Sequence, residues 1–370
     1  MTLEVFKKQP LGGVDRRAMV GALAERGPAL AREMLAADRA ALKPAGVEIP
    51  RDVAVLVLGG SNGITRGLAV QLLFGERASV FCVHLDSEKM QIGPHHARVI
   101  SEEAEREGLV ARFFNEDATK PETIAAVIAE LKPKFRAVHL VNGIAAGATK
   151  RYKELGPTQV KDLDVAFDLV LQTPDFSRAE NIRKVGLVDV EVATDVDIER
   201  TNKFMGTSSL LWAEPLAEAG LLVRGESLVA FCDYDYPPDD PVYAMGPLAG
   251  AKKLQRETMT QIAERFGAKT VRLCYPAVAT TALGAIPGGL LMYGLTGEIL
   301  AERGQLKGIG ALSFDAMAAF KPGFTGTEVR LDREYQETLP EFYARRDALD
   351  ADGAARSFDQ LIAATRAGLR

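Results

Sequence analysis

Residues 55–69 read VLVLGGSNGITRGLA, and the change of pattern at the middle of this stretch decides the fold. The alternating valines and leucines of residues 55–58 suit a strand buried on both faces. Gly59 and Gly63 then give a tight turn, and a helix opens near Ile64. A strand, a glycine turn and a helix N-terminus in that order aim backbone N–H groups at an anion, and a Cβ on either glycine would block its approach. Gly59, Ser61, Asn62, Gly63 and Ile64 are therefore candidates for holding the phosphates of a dinucleotide. Thr65 stands where such a turn carries its third glycine. That glycine serves helix–strand packing, so the substitution leaves the phosphate path open.

Outward from this turn, strand-like and helical runs alternate. VAVLVLGG leads to a helix through about Phe74, ASVFCVHLD to one ending near Gly108, and VARFFNEDA to one over 121–132. FRAVHLVNG leads to an insertion at about 150–190, and SLVAFCDYD and KTVRLCYPAVATT flank a helix from about Pro247 to Phe266. FTGTEVRLD is expected to add a short strand near the carboxyl end. This alternation predicts an α/β fold, a Rossmann-like doubly wound parallel sheet with extra N-terminal and C-terminal helical elements. Residues 15–43 read as helical with a break near Gly27-Pro28. We expect one compact unit over 1–370, with a nucleotide-binding and catalytic core at 50–282 and apolar helices plus a tail at 283–370.

A net charge of −5 argues against a nucleic-acid binder. Cys82, Cys232 and Cys274 lack metal-ligand spacing, which predicts no metal site, buried thiols and a reducing, cytoplasmic setting. The most apolar stretch, 282–300, is interrupted by Pro287 and several glycines, so no membrane insertion is expected.

Further strand ends fit the same ligand. Asp86 follows the second strand 23 residues beyond Gly63, where a carboxylate can bind ribose hydroxyls and repel a 2′-phosphate, which favours NADH over NADPH. Asp117 and Ala118 end the third strand beside the expected adenine, and Asn142 and Gly143 end the fourth. At the other end of such a ligand, DPVYAMGPLAGAKK holds Tyr243 and Lys252. A helix starting at Pro247 leaves Tyr243 on the entering loop and lets Lys252 point back toward it. The ammonium would then favour tyrosinate, and the phenol could serve a developing oxyanion.

Taken together, these residues resemble the FabV-type enoyl-ACP reductases and the trans-2-enoyl-CoA reductases, enlarged relatives of the short-chain dehydrogenases. The resemblance rests on Tyr243 and Lys252 with eight residues between them, on Pro241, Gly246 and Ala251 around them, on the glycine turn, and on the block over 190–222. QPLGG at residues 9–13 and VRLDREYQETLPEF in the tail also have family counterparts. The resemblance implies an NADH-dependent reductase of the carbon–carbon double bond of trans-2-enoyl thioesters, with an acyl-CoA or acyl-ACP partner and a monomeric state. It assigns Tyr243 and Lys252 to catalysis, with Lys252 also on the cofactor, where it would steady the ribose or the proton path. AVATTALGAIP flanks the nicotinamide and acyl pocket, with Ala279 and Thr280 on the cofactor and Ala282 and Ile286 on the acyl side. Three positions depart from the family: Asp233 replaces a second pocket tyrosine, with Tyr234 adjacent; Pro276 replaces a lysine; and residues 93–96 replace an aromatic pair near the adenine. Asp233 and Tyr234 are accordingly substrate-side candidates. Carbonyl reduction by the same Tyr–Lys pair and a non-catalytic nucleotide-binding homologue are the alternatives.

Overall fold

A computed structural model describes residues 3–8, 15–350 and 355–369; the element at residues 9–13 lies outside them. Helix α1 (Arg16–Ala41) precedes strand β1 (Val53–Leu58), α2 (Gly63–Val70), β2 (Ser79–His84), α3 (Gly93–Arg106), β3 (Ala111–Asn115), α4 (Pro121–Leu131) and β4 (Ala137–Asn142). Next come β5 (Thr158–Val165), β6 (Ile182–Val190), α5 (Asp195–Thr201), α6 (Ser208–Glu218), β7 (Leu228–Asp233), α7 (Pro247–Phe266) and β8 (Lys269–Cys274). The chain continues through α8 (Thr281–Ala285), α9 (Gly289–Glu302), α10 (Ile309–Ala316), β9 (Glu328–Arg330), α11 (Arg333–Ala348) and α12 (Asp359–Arg366).

Seven of these strands form one parallel sheet in the order β3-β2-β1-β4-β7-β8-β9. The doubly wound reading holds, including the short strand near the carboxyl end. Residues of β1 point alternately to opposite faces, and both faces are covered. Val55 and Val57 pack with Leu68 of α2, Val99 of α3, Leu312 of α10 and Leu35 of α1. Ala54, Leu56 and Leu58 pack with Val127 of α4, Trp212 of α6 and Met259 of α7. Burying each such aliphatic side chain contributes about 1.5–3 kcal/mol. The chain reverses its winding between β1 and β4, so a crevice opens at their carboxyl ends.

Helix α1 corrects one expectation, because it runs unbroken through Gly27-Pro28. Met19, Leu23, Gly27, Ala31 and Leu35 form a buried stripe at four-residue spacing, and that packing outweighs the hydrogen bond lost at Pro28. Gly27 also matters for closeness: a Cβ there would lie 3.0 Å from His95 Cδ2 on α3.

The insertion folds as the antiparallel pair β5–β6, and Phe6 N–H donates to the Leu187 carbonyl at its edge. Helix α9, buried on all sides, is enclosed by Leu163 and Val165 of β5, Phe342 of α11 and Leu361 of α12. Asp162 on β5 accepts from Leu291 N–H at the start of α9 and pairs with Lys8 at 2.5 Å. Among the described residues no helix is long and apolar enough to cross a membrane.

Candidate active site at the strand ends

The glycine turn is shaped by close approach. Gly59 has φ +88°, and a Cβ on it would lie 3.2 Å from the Gly143 carbonyl oxygen at the end of β4. Gly63, at φ +57°, opens α2, where Asn62 Oδ1 accepts its N–H at 2.9 Å. Thr65 is accommodated by two features. Its hydroxyl donates to the Gly59 carbonyl at 2.6 Å, and its methyl lies where a Cβ on Gly143 would collide with it. The close-packing glycine of α2 is Gly67, whose missing side chain admits Ile309 and Ser313 of α10. Ile64 packs against the core on this face, and Thr280 Cγ2 would lie 3.5 Å from a Cβ on Gly63, so the loop after β8 borders the turn.

The acidic strand ends divide in role. Asp86 Oδ2 lies 2.8 Å from His84 Nδ1, and its backbone exchanges hydrogen bonds with the Asn115 side chain. Burial alone would raise its pKa, but bonds from His84 and Ser61 outweigh that and hold the carboxyl below the usual range. Gly93 leaves room for this carboxylate beside Ser61. Asp86 therefore sits charged next to the glycine turn, where a ribose is expected. His96 is buried nearby with Nδ1 3.1 Å from the Ser61 carbonyl oxygen; burial, reinforced by Arg66, drops its pKa to about 3. Asp117 is occupied by Thr119, which donates from its N–H and its hydroxyl, both at 2.8 Å. The Ala118 carbonyl accepts from Trp212 Nε1. Asn142 donates to Ser208 and Ser209 and accepts from Ile144 N–H, so its amide is fixed in the floor of the crevice.

At the reacting end, α7 begins at Pro247 with Gly246 as its extended N-cap, and Tyr243 lies on the entering loop as expected. Asp240 Oδ1 pins that loop by accepting from Val242 and Tyr243 N–H. Tyr236 stacks on Tyr243 with ring centroids 3.2 Å apart, and Tyr234 stacks on Tyr236 at 5.2 Å. Burial pushes the Tyr243 phenol well above its ordinary pKa; a hydrogen bond from Tyr236 opposes this and the Asp240 charge adds to it. Tyr243 also packs beside Ala282 and Ile286, while Ala279 borders the cluster around α9.

Two expectations need correction here. Lys252 does not turn toward Tyr243. Its Nζ donates to the Cys232 carbonyl at 2.6 Å and to Gln255 Oε1 at 3.2 Å, with Asp233 Oδ1 at 3.9 Å. A buried ammonium needs a counter-charge, and Asp233 is the nearby carboxylate. Asp233 itself is not a substrate-facing group. It is 0% exposed, its Oδ2 accepts from Arg256 Nε at 2.9 Å and Arg272 Nε at 3.0 Å, and its Oδ1 accepts from Tyr234 N–H. Both guanidiniums also reach Asp235, which Arg330 joins. This clasp escaped the sequence reading. Its one trace is the i, i+2 spacing of Asp233 and Asp235, which places both on one side of an extended chain.

The family model described as the trans-2-enoyl-CoA reductase catalytic region matches residues 90–310. This chain belongs to that family. Among its relatives, an enoyl-[acyl-carrier-protein] reductase [NADH] of Burkholderia vietnamiensis is 27% identical over 305 residues, covering 79% of this chain and 75% of that one. A trans-2-enoyl-CoA reductase of Euglena gracilis is 29% identical over 266 residues, covering 70% of this chain but only 49% of that longer protein. The family fold is shared with the Clostridium acetobutulicum trans-2-enoyl-CoA reductase in complex with NADH, at TM-score 0.74 and 20% identity over 90% of each chain. It is shared too with the Treponema denticola trans-2-enoyl-CoA reductase in complex with NAD, at TM-score 0.70 and 20% identity over 96% of this chain and 89% of that one.

Proposed function

We propose that this protein reduces the carbon–carbon double bond of trans-2-enoyl thioesters, carried on CoA or acyl-carrier protein, with NADH as reductant. The observation that carries this reading is the alignment, along one row of strand ends, of a side-chain-free cradle at Gly59 and Gly63 with the Tyr243 phenol beyond it. The cradle suits a dinucleotide pyrophosphate because Gly63, at φ +57°, opens α2 without a side chain and leaves the first N–H groups of that helix facing the turn. Asp86 would bind the adenosine ribose, with Ser61 and Asn62 at the turn and Thr280 over it. When bound, the cofactor supplies a hydride.

The chain's own residues account for the remainder. Negative charge develops on the thioester oxygen as the β-carbon is reduced, and a neutral phenol stabilises it by donating a hydrogen bond. The raised pKa of Tyr243 keeps that phenol protonated at neutral pH. Lys252 would contribute positive charge to the same end of the crevice, and Ala282 and Ile286 would border the acyl chain. We further infer that the chain acts as a compact cytoplasmic monomer; its three unpaired cysteines fit a reducing compartment. An ionised Asp233 facing the oxyanion would have opposed enolate charge, which is what made carbonyl reduction a rival. Arg256 and Arg272 neutralise that carboxylate, so the argument for the rival falls.

Comparing NADH oxidation with crotonyl-CoA and acetoacetyl-CoA tests the reading. Turnover of the enoyl thioester with little of the ketone is expected, along with a preference for NADH that Asp86→Ser or Asp86→Arg narrows or reverses. Faster turnover of acetoacetyl-CoA would overturn the assignment, and native preference for NADPH would overturn the ribose role of Asp86.

A further inference from the structure

Asp233 occupies an unusual place for an acid. It closes a central strand, is wholly buried, and meets cations from two other elements: Lys252 and Arg256 on α7 and Arg272 on β8. The two guanidiniums each bridge Asp233 Oδ2 and Asp235 Oδ1, so the carboxylate cannot swing away from Lys252. Lys252 is itself inside the protein, between the Cys232 carbonyl, Gln255 and the ring of Phe231 at 6.0 Å. We infer that Asp233 is a positioning residue of the active site, the buried counter-charge that holds the Lys252 ammonium against the end of β7, with Arg256 and Arg272 limiting its pull.

The competing contributions have fixed signs. Burial draws the Lys252 pKa down, the Asp233 charge draws it up, and the Arg256 and Arg272 charges draw it down again. Cys232, the remaining ionisable neighbour, is held as a neutral thiol by burial, which pushes its pKa up to about 12. Removing the acid and removing a guanidinium must therefore displace the lysine in opposite directions. A clasp that served only stability would weaken the fold in both variants and leave the alkaline limb of the reaction where it is.

The inference rests on Lys252 acting in the proposed reaction, so the experiment reads the lysine and the reaction separately. In the full-length protein, the rate of reductive methylation of Lys252 is followed across pH by peptide mass mapping, alongside the alkaline limb of kcat/KM for crotonyl-CoA. Wild type is compared with Asp233→Asn and Arg256→Gln. In Asp233→Asn both the lysine titration and the alkaline limb should move lower by about one pH unit, and in Arg256→Gln both should move higher. Arg256→Gln guards against misfolding of the first variant, because Arg256 is 40% exposed and Arg272 still bridges the two acids. A lysine titration that stays in place in the folded variants, or moves the same way in both, overturns the inference. Opposite displacement of the lysine with an unmoved alkaline limb upholds the anchoring and removes Lys252 from the reaction instead, which is a failure of the functional reading.

Discussion

A tyrosine serves an oxyanion either as a phenolate that takes a proton or as a phenol that donates a hydrogen bond, and its surroundings decide which. Around Tyr243 they decide for the phenol: burial raises its pKa, the nearest polar partner is the neutral Tyr236, and the ammonium of Lys252 is engaged elsewhere. Tyr243→Phe should therefore lower single-turnover hydride transfer by about 10²–10³ while leaving NADH affinity unchanged, the usual effect of deleting one oxyanion donor. Tyr236→Phe removes only the bond to Tyr243 and should cost less, and Tyr234→Phe less again. Near-normal rates in Tyr243→Phe, with collapse in either of the other two, would move the reacting group along the stack. The position of Tyr243 was legible because Gly246-Pro247 marks a helix start locally. The direction of Lys252 was not, because its partners lie on β7, some 20 residues earlier in the chain.

Between β1 and α2 the turn shows how an element tolerates a departure from its usual pattern. Thr65 fits because Gly143, on another strand, leaves space for its methyl and because Gly59 offers a carbonyl to its hydroxyl. Thr65→Gly should lose that hydrogen bond, about 1 kcal/mol, and add a few tenths of a kcal/mol in helix propensity, with NADH affinity little changed. Gly63→Val should abolish NADH binding, because it places methyls in the cradle and forces a β-branched residue to positive φ. Thermal melts together with NADH fluorescence titrations check both, and undiminished affinity in Gly63→Val would move the phosphate site. Strands β1, β2, β4 and β7 were readable because each is a largely apolar run ended by a turn signal, and the shorter or more polar β3, β8 and β9 because they continue the alternation of strands and helices. Helix α1 was misread at Gly27-Pro28 because a local breaker was weighed without the α3 surface that holds the helix straight. The Asp233 clasp is equally a product of tertiary structure, with cations from α7, β8 and β9 gathered on two acids of one strand end.

Across the whole molecule, two assemblies meet at the tyrosine stack. The parallel sheet presents the cradle, and helix α7 on its face presents the lysine. The unit built on α9, enclosed by β5 and the carboxyl-terminal helices, reaches the site where Tyr236 and Tyr243 pack against it. The apolar stretch over 283–300 is largely consumed by packing, and Ala282 and Ile286 pack beside Tyr243, where the proposed reaction would bring an acyl chain. The arrangement is suited to delivering hydride to the β-carbon of a thioester whose oxygen meets the phenol. Following the label from NADH deuterated at the transferred C4 position tests this most directly. With crotonyl thioester, a butyryl thioester carrying one deuterium on its β-carbon is expected, formed by the wild-type enzyme and about 10²–10³-fold more slowly by Tyr243→Phe. Unlabelled product, or deuterium found only on a carbon derived from a carbonyl, would contradict it.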